Sequence, residues 1–218
     1  PKGVGAPRPD RPFWPAPAPD RLWDLLRALE GEPSMLTIHA AGELLRAERP
    51  EARLALEHLH AGVRSDRPDR AGRCRALLRR AADAPDEDIR RRAFRLLFPH
   101  EEPAETLETL RRFLDRMGPF AMRDDDLASL PERGITDAQV AILLGFLASD
   151  EALRPPRDPS DRRLVVGAMR LASATALAHP LKFAHARVPL ARLTLHDDPE
   201  VAARAAEELD RLRRGFSN

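Results

Sequence analysis

The side chains able to do chemistry are few, and their spacing argues against a catalytic centre. Seven histidines are present. His58 and His60 stand two apart on one helical stretch and so point different ways, whereas a helix that grips a metal offers ligands three or four apart. His179 and His185 flank Pro180 at a loop-to-helix junction, and His100 and His196 each sit at a turn. The sequence holds no HExxH pair, paired cysteines, glycine-rich phosphate loop or nucleophile elbow. Asp124, Asp125 and Asp126 lack the alternating spacing and terminal Glu of a calcium loop, and read as a solvated turn or helix cap. Cys74, the single cysteine, falls on an apolar helical stripe and reads as a small core residue. The expectation is a protein with no metal site, no cofactor and no enzymatic activity.

The charge pattern that stands out is basic. Between Arg64 and Arg80 lie seven arginines against two aspartates, and Arg90, Arg91, Arg92 and Arg95 follow on the next helix. Packed as one hairpin, the two helices could merge these into a positive patch for phosphates or an acidic partner protein. The other reading is a set of solvated faces paired with Glu87, Asp88 and their neighbours. All but Lys2 and Lys182 of the 36 basic residues are arginine, yet the net charge is only +1. GC-rich codon usage, as in GC-rich bacteria, accounts for such an excess without nucleic acid. No aromatics interleave the arginines to stack bases, which weighs against single-strand binding.

The elements that must position these groups are helices. Aromatics make up 5% of the 218 residues and tyrosine is missing, so the core is Leu, Ala and Val. That palette suits closely packed helices better than a sheet. Apolar residues recur at helical spacing: Cys74, Leu77, Leu78 and Ala81 on one stripe, Leu107, Leu110 and Leu114 on another, and Val140, Leu143, Leu144 and Leu147 on a third. Asp20, Ser34, Asp86 and the capping box Thr136-Asp137-Ala138-Gln139 mark helix starts. The pattern predicts about eleven helices, covering roughly 20–29, 34–46, 50–63, 68–81, 86–98, 103–117, 136–149, 160–178, 182–195 and 198–214, with one short helix within 118–135. Residues 1–19 hold seven prolines and form an extended arm, in which Phe13 and Trp14 are expected to pack over the first helix. Residues 150–160 form a second Pro-rich connection. The division is therefore an arm, 1–19, and one helical domain, 20–218.

A helix-start phrase recurs along that domain. It reads Asp86-Glu87-Asp88-Ile89, with Ala93 four later, and Asp198-Pro199-Glu200-Val201, with Ala205 four later. Weaker copies are Asp161-Arg162-Arg163-Leu164 with Ala168, and Pro50-Glu51-Ala52 with Leu56. The aligned positions Ala52, Ile89, Leu164 and Val201 are separated by 37, 75 and 37 residues, a period that signals a helical solenoid. The stretch Val188 to Val201 resembles a HEAT-type repeat: a first helix carrying Pro189, a turn with Asp197 and Asp198, then a second helix opening on an acidic cap, a Val and an Ala. Leu77 to Leu97 is similar. The resemblance covers roughly residues 34–214, with 118–135 fitting poorly, and implies an all-α solenoid of about five antiparallel helix pairs.

In HEAT-like arrays the second helices line the concave side, which serves as a binding surface. The resemblance thus implies a non-enzymatic scaffold or adaptor whose partner-binding residues are Arg53, Glu57, Arg90, Arg91, Arg95, Arg163 and Arg170, and whose partner is a protein with an acidic surface. The surface leans towards the N-terminal half, because Val165 and Ala202 replace the basic residue that Arg53 and Arg90 supply. A second reading is nucleic-acid binding, by similarity of architecture to the HEAT-like alkylpurine DNA glycosylases. Those enzymes need aromatics and an acid in a basic cleft, and here Trp14 and Trp23 both lie near one end. The uncharged runs Ala138–Ser149 and Leu171–Leu181 fall short of the ~18 apolar residues a membrane span needs. The N-terminus lacks a signal-peptide pattern; Pro1 suits removal of an initiator Met and suits a trimmed chain equally. With one cysteine, the expected location is the cytoplasm.

Overall fold

The structure, a computed structural model, describes residues 29, 32–46, 51–117, 130–131 and 134–216. The arm at 1–19, the first helix apart from Leu29, and Asp124–Asp126 lie outside the described residues. Among those described the chain is all-α, without strands. The helices are α1 (Met35–Arg46), α2 (Ala52–Val63), α3 (Pro68–Ala81), α4 (Glu87–Leu97), α5 (Thr106–Met117), α6 (Asp137–Ala148), the single turn α7 (Asp150–Leu153), α8 (Pro159–Ala178), the single turn α9 (Pro180–Phe183), α10 (Arg187–Leu193) and α11 (Pro199–Gly215). Tight 3-10 turns fill Phe98–His100, Pro103–Glu105 and Ala184–Ala186.

The recurring phrase is a capping device in two of its copies. Asp86 stands in extended backbone, and its Oδ1 accepts the Ile89 N–H at 2.8 Å. Asp198 does the same for the N–H groups of Glu200 and Val201, at 3.0 and 3.1 Å. Each bond satisfies a donor that the first helical turn leaves without an intrahelical partner. The third copy is corrected. Asp158, not Asp161, caps α8, accepting from Ser160 N at 2.7 Å and Asp161 N at 2.9 Å. Pro159 takes the first helical position, where its missing N–H costs nothing. The cap has moved back one turn while the apolar register is kept: Ala52, Ile89, Leu164 and Val201 are all buried. In the fourth copy Glu51 precedes α2 without a side-chain cap bond.

Two further boundaries differ from the sequence pattern. The helix expected over 182–195 is broken into α9, a 3-10 turn and α10. Pro189 explains the break: it lacks an N–H, and its ring crowds the carbonyl four residues earlier, at His185. The connection 150–160 contains the turn α7, capped by the Ser149 hydroxyl, which accepts the Ala152 N–H at 3.4 Å.

Consecutive helices pack on one another: α1 on α2, α2 on α3, α3 on α4, and α10 on α11. Helices further apart in the chain also touch, α2 on α4, α8 on both α5 and α11, α1 on α3 and α6 on α10. The apolar interior falls into two clusters. One joins Ile38, Leu44, Leu56, Leu59, Cys74 and Leu78 to the Ile89, Ala93 and Leu97 side of α4. The other begins on the opposite side of α4 with Phe94 and Phe98 and runs through α5, α6, α8, α10 and α11. Phe94 stacks on Phe113 with ring centres 3.8 Å apart, which ties the halves together. Gln139 contributes from α6. It completes the capping box with Thr136, and its buried Nε2 donates to the carbonyls of Phe98 at 2.7 Å and Glu101 at 3.3 Å.

Candidate partner-binding face

Four of the seven residues singled out from the sequence, Arg53, Glu57, Arg163 and Arg170, lie along successive helix–helix seams. At the α2–α4 seam, Arg53 NH2 reaches Asp88 Oδ2 at 3.3 Å. One turn on, Glu57 Oε1 accepts both Nε (3.0 Å) and NH2 (2.7 Å) of Arg92. At the α5–α8 seam Arg163 donates to Asp115 Oδ1 at 3.0 Å, and Arg111 to Asp161 Oδ1 at 2.8 Å. At the α8–α11 seam Arg162 places Nε and NH2 on Asp198 Oδ2, at 2.9 and 2.7 Å, while Arg170 approaches Glu208 at 3.9 Å.

Arg90 and Arg91 sit differently. Arg90 folds back on the α3–α4 turn, donating to the carbonyls of Ala84 (2.6 Å) and Pro85 (3.2 Å). Arg91 is 6% exposed and bridges to Glu87 at 2.5 Å, so it belongs to the hairpin interior and not to an open patch. Arg95 is half-buried on the same helix. The structure therefore joins Arg53 and Glu57 in one cluster, and separates them from Arg163 and Arg170 at later seams.

Sequence reasoning named Glu87 and Asp88 as carboxylates for the arginines, and Glu87 meets Arg91 while Asp88 meets Arg53. It missed the cross-helix pairing of Arg92, Arg111, Asp115, Asp161, Arg162, Asp198 and Glu208. A signal for some of them was present. Arg53–Asp88 and Glu57–Arg92 are each 35 residues apart and Arg162–Asp198 is 36 apart, close to the period of the apolar phrase. Searching for opposite charges at that period finds these three pairs.

The electrostatics follow the geometry. Asp198 loses solvation by its placement, which alone would raise its pKa. The N–H of Val201, the Arg162 guanidinium and the N–H of Glu200 outweigh that and hold the carboxyl below its ordinary value. Arg111, donating to Asp161, lowers that carboxyl too. Glu208 goes the other way. Its side chain is nearly sealed between α8 and α11, and loss of solvation pushes its pKa up despite Arg211, Arg170 and Arg204 nearby.

Other reactive groups have structural partners. Burial pushes the Cys74 thiol up to about 11, which leaves it protonated and unreactive at neutral pH. His196 accepts the Asp198 N–H on Nδ1 at 2.9 Å, so its Nε2 donates to the Arg154 carbonyl at 3.1 Å and fixes the turn into α11. His58 and His60 point apart as expected. The His58 ring bonds the Leu29 carbonyl and the Thr37 hydroxyl, whereas His60 Nε2 meets His100 Nε2 at 3.1 Å. No group of three His, Cys, Asp or Glu side chains placed to hold a metal occurs among the described residues. No described helix is long and apolar enough to cross a membrane. Compared with known proteins, the chain matches no protein-family model, and no curated protein matches it significantly.

Proposed function

We propose that this chain is a HEAT-like α-solenoid of about five helix pairs, acting as a non-enzymatic scaffold that holds another protein along its second helices. The observation that carries the reading is the cross-helix charge pairing that recurs at 35 to 36 residues, the spacing of a repeat array. Such pairing sets each second helix in one register against the next. It also presents arginines in fixed positions at little cost to a competitor: an exposed pair contributes only ~0–1 kcal/mol, so a partner carboxylate can displace Asp88 from Arg53. Arg53, with 61% of its side chain exposed, and Arg163 are the residues best placed to be captured this way.

Small-angle scattering on the full chain tests the solenoid, which requires an elongated particle; a compact, near-spherical one refutes it. Binding is tested with a labelled Glu-Ala repeat peptide and a labelled DNA duplex under salt titration. The scaffold reading expects peptide binding that falls about tenfold when Arg53 and Arg163 are both changed to Gln. Duplex binding that strengthens steeply at low salt, without peptide binding, replaces it with the nucleic-acid reading.

A further inference from the structure

The charged face of α11 holds a buried carboxylate that the fold leaves unsatisfied. Arg204, Glu207, Glu208, Arg211 and Arg214 recur at three- and four-residue spacing along one face and line an open depression of about 570 Å³. Glu208 is the sealed member, with 4% of its side chain in solvent. Arg170 of α8 stands 3.9 Å from its Oε1 and Arg211 stands 3.8 Å from its Oε2, both beyond hydrogen-bond distance. Oε2 is buried and has no hydrogen-bond partner among the described residues. An oxygen in that state costs stability, so packing alone gives no reason for a carboxylate here.

The other carboxylates of this helix are engaged. Arg162 holds Asp198 at 2.7 Å and Glu200 at 3.4 Å, Arg204 holds Glu207 at 2.6 Å, and Arg214 holds Asp210 at 3.0 Å. Arg211 has only the distant contact with Glu208, and 44% of its side chain is exposed. From α8, Ser173 also faces Glu208, its hydroxyl donating to the backbone carbonyl at 3.5 Å. The arginines of α10, the other helix packed on α11, are directed elsewhere: Arg187 lies over the Phe216 ring and Arg192 on the Ala148 carbonyl.

These surroundings select a ligand. A cation is repelled by the arginines, yet Oε2 lacks a hydrogen. An anion that binds together with a proton meets both conditions: Glu208 becomes a neutral O–H donor, and Arg211 gains an acceptor. Loss of solvation already pushes the carboxyl towards that neutral form. Arg204 can join, because its partner Glu207 is 64% exposed and readily exchanged. Arg204 and Arg211 approach from about two turns apart, with Glu208 between them. Oxygens pointing in several directions serve such an arrangement better than the two coplanar oxygens of a carboxylate, and a phosphate group supplies them. We propose that this depression binds a phosphate group, held by Arg204 and Arg211 and by the protonated carboxyl of Glu208. The proton comes from solvent, one for each phosphate bound. The site stands apart from Arg53 and Arg163 and does not rest on the scaffold reading.

The test is titration calorimetry on the full chain with inorganic phosphate, a phosphoserine peptide, the same peptide unphosphorylated, and sulfate, a tetrahedral dianion whose own charge does not change with pH in this range. Phosphate is expected to bind the parent chain, and Arg211→Gln to weaken it at least about tenfold. Arg211 makes no hydrogen bond to Glu208, so the melting temperature of that variant should stay within about 2 °C of the parent. Glu208→Gln supplies an amide N–H in place of the carboxyl O–H, so it should keep binding and tighten it near pH ~7. Sulfate affinity of the parent should rise as pH falls from about 7 to about 5, because the neutral carboxyl becomes more populated, and in Glu208→Gln it should stay level. Tighter binding of the phosphoserine peptide than of inorganic phosphate supports the proposal with a phosphorylated partner as the source; the reverse order supports it with free phosphate. Absence of phosphate and sulfate binding by the parent at both pH values overturns it. So does an Arg211→Gln variant that binds like the parent, a sulfate response to pH that persists in Glu208→Gln, or equal binding of the two peptides.

Discussion

Charge reversal at Arg91 and at Arg53 should have opposite consequences, although the sequence treats both as members of one basic surface. Arg91 is 6% exposed and its guanidinium is 2.5 Å from Glu87, one turn earlier on α4. Replacing it with Glu puts a second carboxylate beside Glu87 in a position closed to solvent. Glu87 itself is 56% exposed, so the penalty falls on the new carboxylate at position 91, and an uncompensated buried charge typically costs ~3–5 kcal/mol. For a chain of this size each kcal/mol moves the melting temperature by ~2–4 °C. Arg91→Glu should therefore melt roughly 6–20 °C below the parent chain. Arg53 has 61% of its side chain in solvent and its partner Asp88 has 73%. Breaking that pair costs ~0–1 kcal/mol, so Arg53→Glu should shift the midpoint by less than about 4 °C. Thermal melts followed by circular dichroism at 222 nm, a roughly standard wavelength for helix content, read both variants in the same buffer. A midpoint for Arg91→Glu within about 2 °C of the parent would refute the reasoning from burial. The comparison bears on function as well, since loss of binding in Arg91→Glu would report unfolding, whereas loss in Arg53→Glu reports the surface.

Two further perturbations test the interior. A methyl group at Gly62 would fall inside contact distance of Cys74 Sγ and 3.3 Å from Pro33 Cβ, so Gly62→Ala should destabilise by ~1–3 kcal/mol in urea unfolding. Adding Cys74→Ala should recover most of that loss, and an additive double variant would contradict the contact. Glu208 has its folded pKa raised by burial, so its neutral form favours the folded state. Stability from this group is greatest below its unfolded pKa and declines as pH rises through the folded one. Glu208→Gln should accordingly raise the melting temperature at pH near ~7, with the gain shrinking as pH falls towards ~4; a gain independent of pH would exclude the buried carboxylate as its source.

How far the sequence carries differs between fold and site, for physical reasons. Helix starts were legible where one residue does the capping alone: Asp86, Thr136 and Asp198 form the side-chain bonds their positions imply. The start of α8 was misplaced because the apolar register repeats while the cap does not, and Asp158-Pro159 offers a stronger start one turn before Asp161. The break between α9 and α10 was legible only in hindsight through Pro189, since a proline in a helical pattern can kink a helix or end it. Burial of the stripes was readable: Val140, Leu143, Leu144 and Leu147 all point inward. The fate of the arginines was legible in part. Pairing with Glu87 and Asp88 was one of the two readings and is found. The longer-range partners were not legible, because a charge pattern along one chain does not reveal which carboxylate a neighbouring helix brings to it.

That fate changes what the arginine excess means. Arg92 on Glu57 and Arg162 on Asp198 each use two nitrogens of one guanidinium to hold a single carboxylate oxygen. A lysine ammonium is a point charge and has no such planar fork, so the preference for arginine has a structural use beyond codon bias. The same bonds join capping to register. Asp198 caps α11 with Oδ1 and anchors Arg162 of α8 with Oδ2, so one carboxylate both starts a helix and aligns it with its neighbour. Sliding α11 by one turn against α8 would break the Arg162 contacts with Asp198 and Glu200, although the cap itself would survive. Apolar contacts through Val201, Ala205, Leu209 and Leu212 supply the cohesion of that seam, being non-directional and larger in sum. The charges supply its register. The cross-helix pairs thus give the arginine excess a use inside the fold, and those whose pair lies in solvent, as Arg53 does with Asp88, stay open to a partner carboxylate.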